Sequence, residues 1–239
     1  GGIFAVTGAL ALGGIALVAF AVPAASPAAT PAAGDGRRRT PLRHVLLDSD
    51  LMRLNYGIFA LHLAMMAMFV VLPVALVERL ELPLAQHWKV YLPVVLVSFA
   101  VMMPPLNWAE RNGRLRLVFL TSIVVLLAVS VGYAIEPRSL VLFTVLLLAF
   151  FVGFNLLEAL LPSLVSRLAP ADARGTALGV YTTTQSLGLF AGGLAGGWIA
   201  ARWGAAAVFG FSAALMATWF LVAHGATRWG RPKTQLEEQ

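Results

Sequence analysis

Cysteine is absent from the 239 residues, which excludes disulfide frameworks, thiolate metal sites and cysteine nucleophiles. Charge is scarce: Asp, Glu, Lys and Arg make up 12% of the chain. A water-soluble domain carries roughly 25%. Lysine is almost missing, with Lys89 and Lys233 standing against 15 arginines. No Walker-type phosphate loop occurs, so no nucleotide-driven pump motif is present. The four histidines lack metal-ligand spacing. What is abundant is apolar: 59% of residues are hydrophobic and the mean hydropathy is +0.83. This composition excludes an ordinary soluble enzyme and implies neither catalysis nor a bound cofactor. The net charge of +6 raises nucleic acid as a partner, and the placement of the arginines decides that question.

The apolar residues fall into seven stretches: Gly1–Val22, Met52–Val77, Lys89–Trp108, Leu115–Ile135, Leu140–Ser166, Gly175–Ala201 and Ala205–His224. Each is long enough to cross a hydrocarbon layer of about 30 Å as a helix. Runs such as Ser122-Ile123-Val124-Val125-Leu126-Leu127 do not alternate in polarity, so they are helices and not barrel strands. The expected fold is an all-α membrane protein of seven transmembrane helices. An Ala/Pro-rich linker at 23–50 divides residues 1–22 from a six-helix unit at 51–225, and a polar tail fills 226–239. The start Gly1-Gly2-Ile3 lacks an initiator Met, and the expected reading is a piece of a longer protein.

Loops on alternate sides of these spans differ in charge. Arg37, Arg38, Arg39, Arg43, Arg53, Arg111, Arg114, Arg116, Arg167, Arg174, Arg228, Arg231 and Lys233 lie on one side, and Arg79, Lys89, Arg138 and Arg202 on the other. The positive-inside rule makes the linker and tail cytoplasmic. The basic excess is then a matter of topology, without nucleic acid. Trp88, Trp108, Trp198, Trp203 and Trp229 lie at span ends, as an aromatic belt requires. Spans two to four and five to seven occupy 84 and 85 residues, the spacing of an inverted 3+3 transporter repeat.

Four features carry chemistry. Glu158 is the acidic residue inside an apolar span, with Asn155 and Pro162 on its face. Such a carboxylate needs a cavity or a partner. It either handles protons or substrate, or hydrogen-bonds a neighbouring helix. His62 sits mid-span, able to relay a proton, bind substrate or bridge helices. In the sixth span Tyr181, Gln185, Gly188, Gly192 and Gly196 form one stripe, with Gly193 and Gly197 beside it. Small faces let helices approach closely in lipid, as fixed packing or as a sliding seam. Glu110-Arg111-Asn112-Gly113-Arg114-Leu115-Arg116 forms a tight turn able to make an ion-pair and helix-end network, a conformational latch.

That turn resembles the Asp-Arg-x-Gly-Arg signature of the major facilitator superfamily, with Glu110 in place of Asp. Gln86-His87-Trp88-Lys89-Val90-Tyr91-Leu92, Phe154-Asn155-Leu156-Leu157-Glu158-Ala159-Leu160-Leu161-Pro162-Ser163-Leu164 and Gly175-Thr176-Ala177-Leu178-Gly179-Val180-Tyr181 resemble the YajR-type members of that superfamily. These are bacterial inner-membrane transporters grouped with the drug:proton antiporters. The resemblance implies a twelve-helix fold, of which this chain supplies helix six and the C-terminal six-helix bundle. Its partners are then membrane lipid, a small-molecule substrate and the remaining N-terminal helices, in a monomer. It implies proton-coupled export by alternating access, energised by a proton gradient, with His62, Asn155, Glu158, Gln185 and Tyr181 on the pathway. Rival readings are a passive facilitator or importer of the same fold, and a non-transporting seven-helix receptor or subunit. A retinal receptor is excluded, because both lysines lie outside the span centres.

Overall fold

The computed structural model describes residues 2–21 and 41–225. The expected linker and tail fall largely on 22–40 and 226–239, outside the described residues. The chain divides into two units at Arg38/Arg39. The first holds α1 (Gly2–Ala21), whose apolar stretch is Phe4–Phe20.

The described part of the second unit is built of helices: α2 (Leu42–Leu47), α3 (Ser49–Glu78), a 3-10 turn (Leu84–Gln86), α4 (Trp88–Arg111), α5 (Leu115–Ala134), α6 (Leu140–Leu168) and α7 (Arg174–His224). Helix α3 begins inside the stretch expected to be linker. Asp48 explains the early start, because its carboxylate accepts from the N–H groups of Asp50 and Leu51 at 3.0 Å each. This is a helix N-cap, which satisfies two donors that the helix itself leaves free.

Among the described residues, five helical segments are long and apolar enough to cross a membrane: Ser49–Glu78, Leu84–Arg111, Leu115–Ala134, Leu140–Leu168 and Arg174–His224. The expected sixth and seventh spans are the two helical arms of α7, which meet at a sharp kink where a short connection at 202–204 was expected. Their junction is Gly204, at φ 78° and ψ −179°, a conformation that only glycine adopts readily.

The two arms of α7 fold back on each other. Gly57 abuts Trp219, and Gly188 abuts Phe59, so residues 188 and 219 lie at one height along α3. Each is about 15 residues from Gly204, or roughly 23 Å at 1.5 Å per residue. A straight helix of 51 residues would be more than twice the hydrocarbon thickness.

The seam between α3 and the first arm of α7 is built on glycine. A Cβ at Gly188 would stand 2.6 Å from the Phe59 carbonyl oxygen, and one at Gly196 would stand 2.6 Å from Ala67 Cα. Gly192 meets Leu63 in the same way. The pairs 59/188, 63/192 and 67/196 rise together, so the two helices run parallel. A Cβ at Gly193 or Gly197 would meet nothing within 4 Å among the described residues, so these two lie outside the seam with α3. They are one residue on from the stripe, which turns them about 100° away from α3.

The second arm of α7 packs on α5. Trp219 is fully buried and meets Phe119 edge-on at 5.9 Å, and Tyr133 stacks on Phe209 at 5.1 Å. The Tyr133 hydroxyl donates to the Phe143 carbonyl oxygen at 2.8 Å, tying α5 to α6. The hydroxyls of Ser122, Ser130 and Ser212 each donate to the carbonyl four residues back, which hides them inside their own helices.

Candidate functional site

Three helices converge on His62. His62 and Gln185 lie 13 and 11 residues after the starts of α3 and α7, and Glu158 lies 10 residues before the end of the antiparallel α6, so all three are at a similar depth from one side of the bundle. That is roughly 15–20 Å deep, near the middle of a hydrocarbon layer of about 30 Å. The depth match brings together three of the residues expected on the pathway.

The imidazole is held on both nitrogens. Nδ1 lies 3.2 Å from the Ile58 carbonyl oxygen, one turn back on α3. A carbonyl only accepts, so Nδ1 carries a proton. In the neutral ring Nε2 is then an acceptor, and the Gln185 amide nitrogen donates to it at 2.9 Å. Glu158 Oε1 stands 3.5 Å from the same Nε2. This oxygen is buried and has no hydrogen-bond partner. Phe154, one turn before Glu158 on α6, closes one side of the ring edge-on at 5.6 Å. His62 itself is 4% exposed, whereas the Glu158 side chain is 31% exposed and reaches an open side.

The arrangement has two protonation states with different bonding. With one added proton on Nε2, the ring donates to Glu158, and the Gln185 amide must present its oxygen or withdraw. With the proton on the carboxyl, Glu158 donates to Nε2. Either way, one proton shared by His62 and Glu158 changes the hydrogen bond between α3 and α7. Tyr181, one turn before Gln185, is buried.

Asn155 does not join this cluster. It donates to the Ser98 hydroxyl on α4 at 2.9 Å, and Ser98 in turn donates to the Val95 carbonyl at 2.7 Å. Ser98 is a buried residue that the sequence reading missed. Its signal was an isolated hydroxyl in an apolar run at a depth matching Asn155.

The expected latch residues lie at the end of the bundle where α3, α5 and α7 begin. Gly113 has φ 64° and turns α4 into α5, with the Arg114 N–H donating to the Ala109 carbonyl at 2.9 Å. Glu110 pairs with Arg167 of α6 at 3.8 Å, and both are partly exposed. The Arg116 guanidinium donates to the His224 carbonyl at 3.0 Å, capping the end of α7. Arg114 lies over the Trp108 ring at 5.7 Å. Arg111 is exposed, and no ion pair forms on it among the described residues. The turn thus links α4 to α6 and α5 to α7. Arg167 and the His224 carbonyl complete it and were not among the expected residues. At the opposite end Arg79 pairs with Glu136.

Known proteins resolve what this bundle is. The family model described as Major Facilitator Superfamily matches residues 1–193 and, in a second alignment, 94–237. The chain belongs to the Major Facilitator Superfamily. Within that superfamily it is 38% identical over 214 residues to the inner membrane transport protein YajR of Escherichia coli (strain K12), covering 90% of this chain and 47% of that one. It is 31% identical over 147 residues to an uncharacterized transporter of Buchnera aphidicola subsp. Acyrthosiphon pisum, covering 62% and 37%. It is 27% identical over 165 residues to the multidrug resistance protein MdtH of Cronobacter sakazakii, covering 67% and 40%. The chain spans about half the length, or less, of the relatives it matches. It is a YajR-like superfamily member with multiple membrane-spanning helices.

Proposed function

We propose that these residues form the C-terminal half of a twelve-helix, proton-coupled exporter of small or amphipathic compounds. Helix α1 would be the last helix of the other half, and 22–40 part of a cytoplasmic link between the halves. The six apolar segments of 49–224 would be two inverted three-helix repeats, with both arms of α7 crossing. The arginine-rich end would face the cytoplasm of a bacterial inner membrane. The observation that carries the proton coupling is the His62–Gln185–Glu158 cluster, a carboxylate and an imidazole sharing one buried position at mid-depth. Groups of this kind inside a membrane mark ion and proton routes. Rocking of the two halves around a midplane site would give alternating access. The network of Glu110, Arg111, Gly113, Arg114 and Arg116 with Arg167 would latch one arrangement. YajR is named as a transport protein and MdtH as a multidrug resistance protein, which favours export over passive import.

The test is proton flux in proteoliposomes of the full-length protein driven by a substrate gradient. Glu158→Gln keeps shape and hydrogen-bonding size but cannot ionise. We expect it to lower substrate-dependent proton movement at least tenfold while substrate binding remains. Coupling at the unaltered rate in this variant would remove Glu158 from the mechanism.

A further inference from the structure

Away from the His62 cluster, α4 and α5 leave between them a cleft of about 270 Å³. The two helices are joined by the tight turn at Gly113, yet they part below it. Pro105 and Trp108 form one wall, Thr121 and Val125 the other, and Gly153 and Leu156 of α6 the floor. Pro104 and Pro105 leave the carbonyls of residues 100 and 101 without their usual helical N–H partners, which weakens α4 at this level. Gly153 deepens the floor, because a Cβ there would press on Leu126 and the Ser122 carbonyl at 3.3 Å. The Ser122 hydroxyl lines the cleft but is spent on Val118. The interior therefore offers almost no hydrogen bonding and suits a hydrocarbon chain.

The mouth has a different character. Trp108 and Leu117 are 43% and 49% exposed, so the cleft opens on the outside of the bundle. At its arginine-rich end the Arg114 guanidinium rests on the outer wall formed by Trp108. Arg111 and Arg114 have no acidic partner among the described residues, unlike Glu110 and Arg167, which satisfy each other. An apolar slot with free cations at its interfacial end is complementary to one molecule in a bilayer: a lipid with an acyl chain and an anionic phosphate headgroup.

We infer that the α4–α5 cleft binds an anionic phospholipid, with one acyl chain between Trp108 and Thr121 and the phosphate on Arg111 and Arg114. The lipid fills the gap that remains between these two helices. This site uses none of the residues of the His62 cluster, and it shares Arg111 and Arg114 with the proposed latch, so lipid binding is read directly and not through transport.

Native mass spectrometry of the full-length protein, titrated with phosphatidylglycerol or phosphatidylcholine of the same chains, tests it. We expect one phosphatidylglycerol to bind at least fivefold more tightly than phosphatidylcholine. Each arginine near an anionic surface contributes about 1 kcal/mol, a factor of about five, so Arg114→Ala should weaken phosphatidylglycerol about fivefold and leave phosphatidylcholine unchanged. Arg114→Lys should retain most of the preference, which keeps the test decisive if the alanine variant folds poorly. Thr121→Phe, on the exposed lip, should block the slot and weaken both lipids. Equal binding of the two lipids, or Arg114→Ala and Thr121→Phe both without effect, would overturn the inference. So would uptake of decanol as tightly as phosphatidylglycerol and without dependence on Arg114, which would mark a pocket for neutral apolar compounds.

Discussion

The seam between α3 and α7 and the pair α4–α5 solve the same problem in opposite ways. Both bring apolar helices together in lipid, where burial of hydrocarbon gives no net drive between helices. The seam does it with glycine, so that Gly188, Gly192 and Gly196 meet the backbone of Phe59, Leu63 and Ala67. The pair α4–α5 places Trp108, Leu117 and Val125 at the same kind of interface, and a cleft remains. Close approach at the seam is also what lets Gln185 reach His62. Small residues thus do two jobs: they supply dispersion contact, and they bring a polar pair within hydrogen-bond range. Between α4 and α5, at the cleft, neither happens.

The strongest way to break this contrast is to put a side chain into the seam. Gly192→Leu should destabilise the bundle by at least about 3 kcal/mol, because its Cβ already overlaps backbone that cannot swing aside. Gly193→Leu, one residue on, faces open space and should change stability by less than about 0.5 kcal/mol. Thermal unfolding of the full-length protein in detergent compares the two. Equal effects would mean that the seam is not tight. Next in size is the turn above the cleft. Gly113 holds φ 64°, so Gly113→Val should cost about 1–2 kcal/mol and lower the melting temperature without touching the seam.

Removing the polar link at the seam should have a smaller effect. Gln185→Leu loses one hydrogen bond to His62 and should cost about 1 kcal/mol. Its signature is local: hydrogen exchange should rise near residues 58–66 and not in α5. The smallest effect is expected on the cleft side, where Ser98→Ala removes the acceptor for Asn155. About 0.6 kcal/mol is the expected loss, read as a small shift in melting temperature.

Much of this architecture was legible from periodicity and composition. The apolar runs located the spanning segments, and the four-residue spacing of Gly188, Gly192 and Gly196 marked a contact face. The sequence also singled out His62 and Glu158 as polar residues inside apolar helices, and Gln185 as the continuation of the glycine stripe. It did not say that they meet, because that depends on pairing between residues 123 positions apart. Asn155 shows the converse. It shares a helix face with Glu158 by spacing, yet its partner is Ser98 on another helix. Composition was also too coarse to separate Gly192 from Gly193, since only the rotation of one residue about the helix axis distinguishes them. The short connection expected at 202–204 contains the break at Gly204, but the sequence did not show that one residue makes the whole turn.

That junction makes the two arms of α7 a ruler folded at one point. A single residue inserted between Gly204 and Trp219 would shift the indole by about 1.5 Å and swing it about 100° around the axis. It would leave the notch at Gly57, which has no room to follow it. A connection with slack, such as the one between Arg79 and Gln86, can absorb an extra residue as a wider loop. A hairpin pivoting on one glycine has no slack to absorb it. Insertions and deletions among relatives should therefore be tolerated in the first connection and purged from the second, so that the length of this hairpin is held more strictly than its composition.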